Sequence, residues 1–174
     1  MRIAIALITS AVLAGCIGGI TEVGGGGDQP DAGTRGPDAT TIDLKAVFRQ
    51  WSGCMTLTNF QTANMATAWS QLTTSDNKQC QNCHDQGQYN FIATDDEAAF
   101  FAGITQHSSL MAMYFRVDAA TMKVEINTAS FASANAKTGH PRFNTMSNIG
   151  MTALTTFHTA TAANTACEAP KMLD

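Results

Sequence analysis

Gln79-Cys80-Gln81-Asn82-Cys83-His84 is the stretch on which the reading of this chain turns. Two thiols three positions apart fall on one helical turn, and an imidazole follows at once. The pattern C-x-x-C-H is that of a c-type haem attachment. Each thiol can add to one of the two vinyl groups on a porphyrin edge, and the histidine next in line lies beneath the iron and supplies an axial nitrogen. A thioredoxin-like redox pair uses the same letters but follows a strand in a βαβ unit, whereas Cys80 follows a helical pattern and a polar turn. A zinc site wants a second ligand pair of similar spacing, and the sequence has no second C-x-x-C and no H-x-H.

Around that motif the pattern is mostly helical. Leu44, Val47, Phe48 and Trp51 fall at i, i+3, i+4 and i+7, which predicts an amphipathic helix. A second helix is expected from about Asn59 to Leu72, with Met65, Ala66, Trp69 and Leu72 inward. Asp95, Asp96 and Glu97 crowd the start of a third, where carboxylates suit the positive end of the dipole; it continues through Phe100, Phe101 and Ile104. The period then changes. Tyr114-Phe115-Arg116-Val117 and Met122-Lys123-Val124-Glu125-Ile126 alternate about a short link, which predicts a β-hairpin. A last helix is expected from about Asn144, with Met146, Ile149, Ala153 and Phe157 on one stripe. The fold class is therefore mainly α with a small β-hairpin insertion.

In this order of elements the chain resembles the class I cytochrome c family over most of residues 41–166, Cys80-Gln81-Asn82-Cys83-His84 being the specific motif. The resemblance implies a helical domain holding one covalent haem c. It also implies a second axial ligand from the loop before the last helix, usually a methionine. Here that loop reads Thr138-Gly139-His140-Pro141-Arg142-Phe143, so His140 stands in the ligand's place and bis-histidine iron is expected, with Met146 the alternative. Met111, Met113, Met122 and Met151 are further candidates, although methionine at helical spacing is more often core filler. A bis-histidine haem sits at lower potential than a His/Met one. His107 reads as a residue near a helix C-terminus, His158 as a surface residue, and Arg142 as a solvated loop charge.

The N-terminus reads as an export signal. Arg2 and the apolar run Ile3 to Leu13 precede Leu13-Ala14-Gly15-Cys16, which resembles the lipobox of bacterial lipoproteins. Residues 1–15 are then a removable leader, and Cys16 carries the lipid. Residues 16–40 form a Gly-, Asp- and Pro-rich tether with nothing to bury, and 41–174 are the haem domain. Ile17, in place of an aspartate, leans toward the outer membrane. The expected setting is the cell envelope, lipid-anchored and facing periplasm or cell surface. Of the five cysteines, Cys54 and Cys167 remain and are expected to pair in an oxidising compartment, the alternative being two separate buried thiols.

The sequence has 174 residues, 14% of them charged, and a net charge of −4. Nothing in it is basic enough for a nucleic-acid partner. Gly24 to Gly27 lacks the preceding strand and following helix of a nucleotide loop, and no catalytic triad or carboxylate pair can be argued. The expected function is one-electron transfer with redox partner proteins by a membrane-tethered carrier, not an enzyme. A haem-based peroxidase or a gas or redox sensor, with a labile distal site, is the alternative.

Overall fold

A computed structural model describes residues 43–174. The expected leader, the expected lipidated Cys16 and the whole of the expected tether lie outside the described residues. Eight helices and one hairpin are found among those described, in the order α1 Leu44–Cys54, α2 Leu57–Thr62, α3 Met65–Ser70, α4 Gln81–His84, α5 Glu97–Gln106, α6 Ser108–Tyr114, β1 Phe115–Asp118, β2 Lys123–Ile126, α7 Thr128–Ala136 and α8 Ile149–Ala162. A short 3-10 turn at Gln88–Asn90 follows α4. The domain is mainly helical, and none of its described helices is long and apolar enough to cross a membrane.

Polar side chains set most of the helix starts. Asp43, Thr56, Asp96, Asn127 and Asn148 each accept the backbone N–H three residues on, which satisfies a donor that the helix itself leaves orphaned. The α1 pattern holds, with Val47, Phe48 and Trp51 packed against the core and Leu44, at the end of the stripe, exposed. The expected helix from Asn59 to Leu72 is two helices. Ala63 and Asn64 close α2, and Asn64 takes a left-handed φ of 58° before α3 turns away. Asparagine adopts that conformation more readily than other side chains with a Cβ, so the break falls there.

The hairpin pairs Phe115 with Ile126, Arg116 with Glu125, Val117 with Val124 and Asp118 with Lys123. Tyr114 and Met122, expected on its strands, are instead the last residue of α6 and a turn residue with φ 57°. The last helix starts at Ile149 rather than near Asn144, because Asn148 makes the cap. Asn144 instead holds the Met146 and Ser147 N–H groups in a turn ahead of it. Met146 and Ile149 consequently leave the expected stripe, 78% and 56% exposed, while Ala153 and Phe157 stay buried.

The core is aromatic: Phe60, Trp69, Phe100, Tyr114, Phe115, Phe131 and Phe157 are all buried. Edge-to-face pairs join Phe60 to Phe100 and Phe157, and Trp69 to Phe91 and Tyr114, the geometry that ring quadrupoles favour. α8 runs close over α3 because Gly150 faces the Trp69 indole; a Cβ there would lie 2.9 Å from ring atom Cδ2. His158, expected at the surface, is half-buried between Trp51 and Phe115, and one ring nitrogen bonds the Val124 carbonyl at 2.8 Å.

The segment after α8 returns along α1. Cys167 is disulfide-bonded to Cys54 as expected. The buried Ser52 hydroxyl accepts the Lys171 and Met172 N–H groups, and the Met172 side chain is buried. The Leu173 N–H reaches the Gln106 carbonyl, and the Asp174 carboxylate accepts the Ser108 N–H at 2.7 Å. A Cβ on Gly53 would sit 2.4 Å from the Glu168 carbonyl oxygen, so only glycine admits this close return.

Candidate functional site

Cys80 is positioned by the polar turn ahead of it. Its N–H donates to the Leu72 carbonyl, and Thr73 and Gln79 form an isolated antiparallel bridge. Between them Thr74 N–H bonds the Lys78 carbonyl and Asn77 turns through a left-handed φ of 59°. The turn delivers the thiol buried beside Tyr114. Burial pushes the Cys80 thiol up to about 11, the opposite of the shift that a catalytic redox pair needs.

α4 carries Cys83 and His84, both half-buried. Cys80 is a free thiol, whereas the Cys83 sulfur is disulfide-bonded. The His84 Nδ1 lies 2.9 Å from the Gln88 carbonyl oxygen, and the Ala93 N–H donates back to the His84 carbonyl. With Nδ1 protonated toward Gln88, Nε2 keeps its lone pair for a metal, the arrangement in which a metal-binding imidazole is usually held. The Gln88 carbonyl is brought there by a tight reversal in which Gly87, Tyr89 and Asn90 all have left-handed φ, at 82°, 59° and 60°. Phe91 meets the His84 ring edge-to-face at 4.9 Å. Burial, and secondarily the nearness of His140, lowers the His84 pKa against the Gln88 bond, which favours the neutral imidazole that binds metals.

The loop between α7 and α8 brings His140 to the same place. The ring centres of His84 and His140 are 6.3 Å apart, their planes tilted by 40°. The loop is pinned beyond His140: Asn135 bonds the Phe143 carbonyl and N–H through its amide, and the Ser75 N–H donates to the Arg142 carbonyl. Among the described residues His140 Nδ1 is buried without a hydrogen-bond partner, and such orphans call for an explanation. A ligated imidazole nitrogen stands about 2 Å from its metal, and each ring centre about 1 Å further back. Two imidazoles sharing one ion from opposite sides are thus separated by roughly 6 Å, which the observed spacing matches.

Among the described residues no group of three or more His, Cys, Asp and Glu side chains gathers as a metal site. A structural zinc would require four such ligands, while a haem iron asks the protein for two axial ones. His84 and His140 have the chemistry for two such ligands and Cys80 for one thioether, while the disulfide at Cys83 competes with a second. The methionines lie elsewhere: Met111 and Met151 are core residues, Met122 is in the hairpin turn, and the Met146 side chain faces solvent. His107 caps α5 and lies 3.5 Å from the Asp174 carboxylate.

Comparison of the chain with family models, with curated proteins and with solved structures finds no match in any of the three.

Proposed function

We propose that this chain is a lipid-anchored, class I-like cytochrome: a one-electron carrier with a single haem c. Cys80 and Cys83 would hold the haem by thioethers, and His84 and His140 would be its axial ligands. The observation that carries the proposal is the closeness of the His84 and His140 rings, the first of which belongs to a C-x-x-C-H motif. When bound, the haem takes up and releases one electron, and the protein supplies ligands and limits access. The Gln88 carbonyl orients His84 and makes it more basic. The aromatic wall of Phe91, Trp69 and Tyr114 keeps that side dry. Two histidines bias the site toward lower potential than a His/Met pair. Cys16 would carry the lipid and moor the domain to the outer membrane, with redox proteins as partners.

The mature protein, purified from a host that attaches haem c, tests this. Its intact mass should exceed the polypeptide by one haem, and the reduced absorption spectrum should be that of a low-spin thioether haem. A peptide retaining a disulfide at Cys83 and no added haem mass sinks the proposal, since thioether and disulfide are exclusive uses of that sulfur.

A haem-based peroxidase or sensor is the second reading. The exposure of residues 137–139 just ahead of His140 favours it, since a ligand on so open a loop can detach. Binding of carbon monoxide or cyanide to the wild-type protein without denaturant would select it.

A further inference from the structure

Beside the loop that carries His140, Thr73, Ser75, Arg142, Phe143 and Asn144 line a surface cavity of about 310 Å³. Its two walls are joined by the Ser75 N–H bond to the Arg142 carbonyl at 2.7 Å. Its donors are uncommitted. Among the described residues the Arg142 guanidinium has neither an ion pair nor a hydrogen bond, and the Ser75 hydroxyl has no partner. Asn144 spends its carbonyl oxygen on the Met146 and Ser147 N–H groups, which fixes the amide and leaves its NH2 available. The nearby carboxylate does not compensate the cation: Asp76 is engaged by the Thr74 hydroxyl at 2.5 Å and the Lys78 ammonium at 3.4 Å.

We infer that this cavity binds an oxyanion, a carboxylate or phosphate group, through the Arg142 guanidinium, the Ser75 hydroxyl and the Asn144 amide. A planar guanidinium matches such a group with two parallel N–H bonds, and hydroxyl and amide donors complete the shell. The anion would bridge the turn at 73–75 to the loop at 142–144, bracing the segment two residues beyond His140. With a free anion as occupant the site stands apart from the haem reading; with a carboxylate of the prosthetic group it rests on that reading. Its occupant has two sources, a free anion or a carboxylate belonging to a bound prosthetic group.

Nitrogen NMR of the arginine Nε–H groups in the mature protein separates them, with inorganic phosphate and acetate as probes and exposed Arg49 as reference. A free anion gives a saturable shift at Arg142, with affinity weakened about 10-fold or more in Arg142→Lys, which loses the bidentate fork, and about 3-fold in Ser75→Ala. A carboxylate of the prosthetic group gives no shift on titration, but the Arg142 Nε–H then exchanges with solvent about 10-fold or more slowly than that of Arg49 before any anion is added. No saturable shift together with exchange as fast as at Arg49 overturns the inference.

Discussion

His84 and His140, 56 positions apart in the chain, lie with ring centres 6.3 Å apart, and the His140 ring has a buried nitrogen with no hydrogen-bond partner among the described residues. α4 and its reversal fix one ring; a loop tied down through Asn135 and Ser75 fixes the other. In a haem-loaded protein, His140→Ala should convert the low-spin spectrum almost completely to high-spin, and added imidazole should restore it. Met146→Ala should leave the spectrum unchanged. An unaltered His140→Ala spectrum would remove His140 from the iron.

Gly150 lets α8 approach the Trp69 indole. Gly150→Ala should destabilise the domain by about 1–3 kcal/mol through overpacking, measured by urea unfolding. Gly139→Ala is the contrast, because its φ is 79° but nothing lies within 4 Å of the new methyl. Only backbone strain of about 1–2 kcal/mol is added there, with no change at the indole, and near-UV circular dichroism separates the two.

The Cys54–Cys167 disulfide spans 113 positions. Opening it by Cys54→Ser with Cys167→Ser should lower stability by about 2–5 kcal/mol, read from urea midpoints. Equal midpoints would show that packing of the final segment suffices alone.

Ser52 is buried and its hydroxyl accepts two backbone N–H groups from the final segment. Ser52→Ala should cost about 1–3 kcal/mol by leaving those donors without a partner. Amide exchange at Lys171 and Met172 should quicken more than exchange in α8, whereas uniform quickening would point to global unfolding.

The Asp174 carboxylate is held below the usual range chiefly by the Ser108 N–H, with His107 adding less. A carboxylate depressed in the folded state stabilises above the unfolded pKa of about 3.9, and the contribution fades as pH falls through the folded value. The final residues should therefore loosen below about pH 4, and salt should shrink the effect because the pair is exposed. Asp174→Asn should flatten that part of the profile; a wild-type-like slope would assign it to other carboxylates.

What the sequence disclosed depended on whether the signal was local. α1 was legible from four apolar residues at helical spacing, α5 from its acidic start, and the hairpin from alternation. α6 was hidden because Tyr114 continues the alternating run into Phe115, although it ends a helix. α7 has one large apolar residue, Phe131, among Ala, Ser and Asn, so no stripe marks it. Asn144 and Asn148 are equally good caps by type, and only tertiary packing shows that the second starts α8. In the candidate site, Cys80, Cys83 and His84 lie in one short stretch and read as a motif, and His140 was nominated through its place before the last helix. The Gln88 carbonyl is a backbone atom that any residue would present, and Gly87 was the one hint of the reversal that aims it.

The bond between Cys54 and Cys167 encloses both the C-x-x-C-H segment and the loop bearing His140. A protease that nicks the exposed hairpin tip or the loop at 137–139 would separate His84 from His140 in sequence but not in space. The two fragments would stay covalently joined, migrate as one species until a reductant is added, and keep both imidazoles on one particle. Damage at the outer surface is thereby uncoupled from loss of the site.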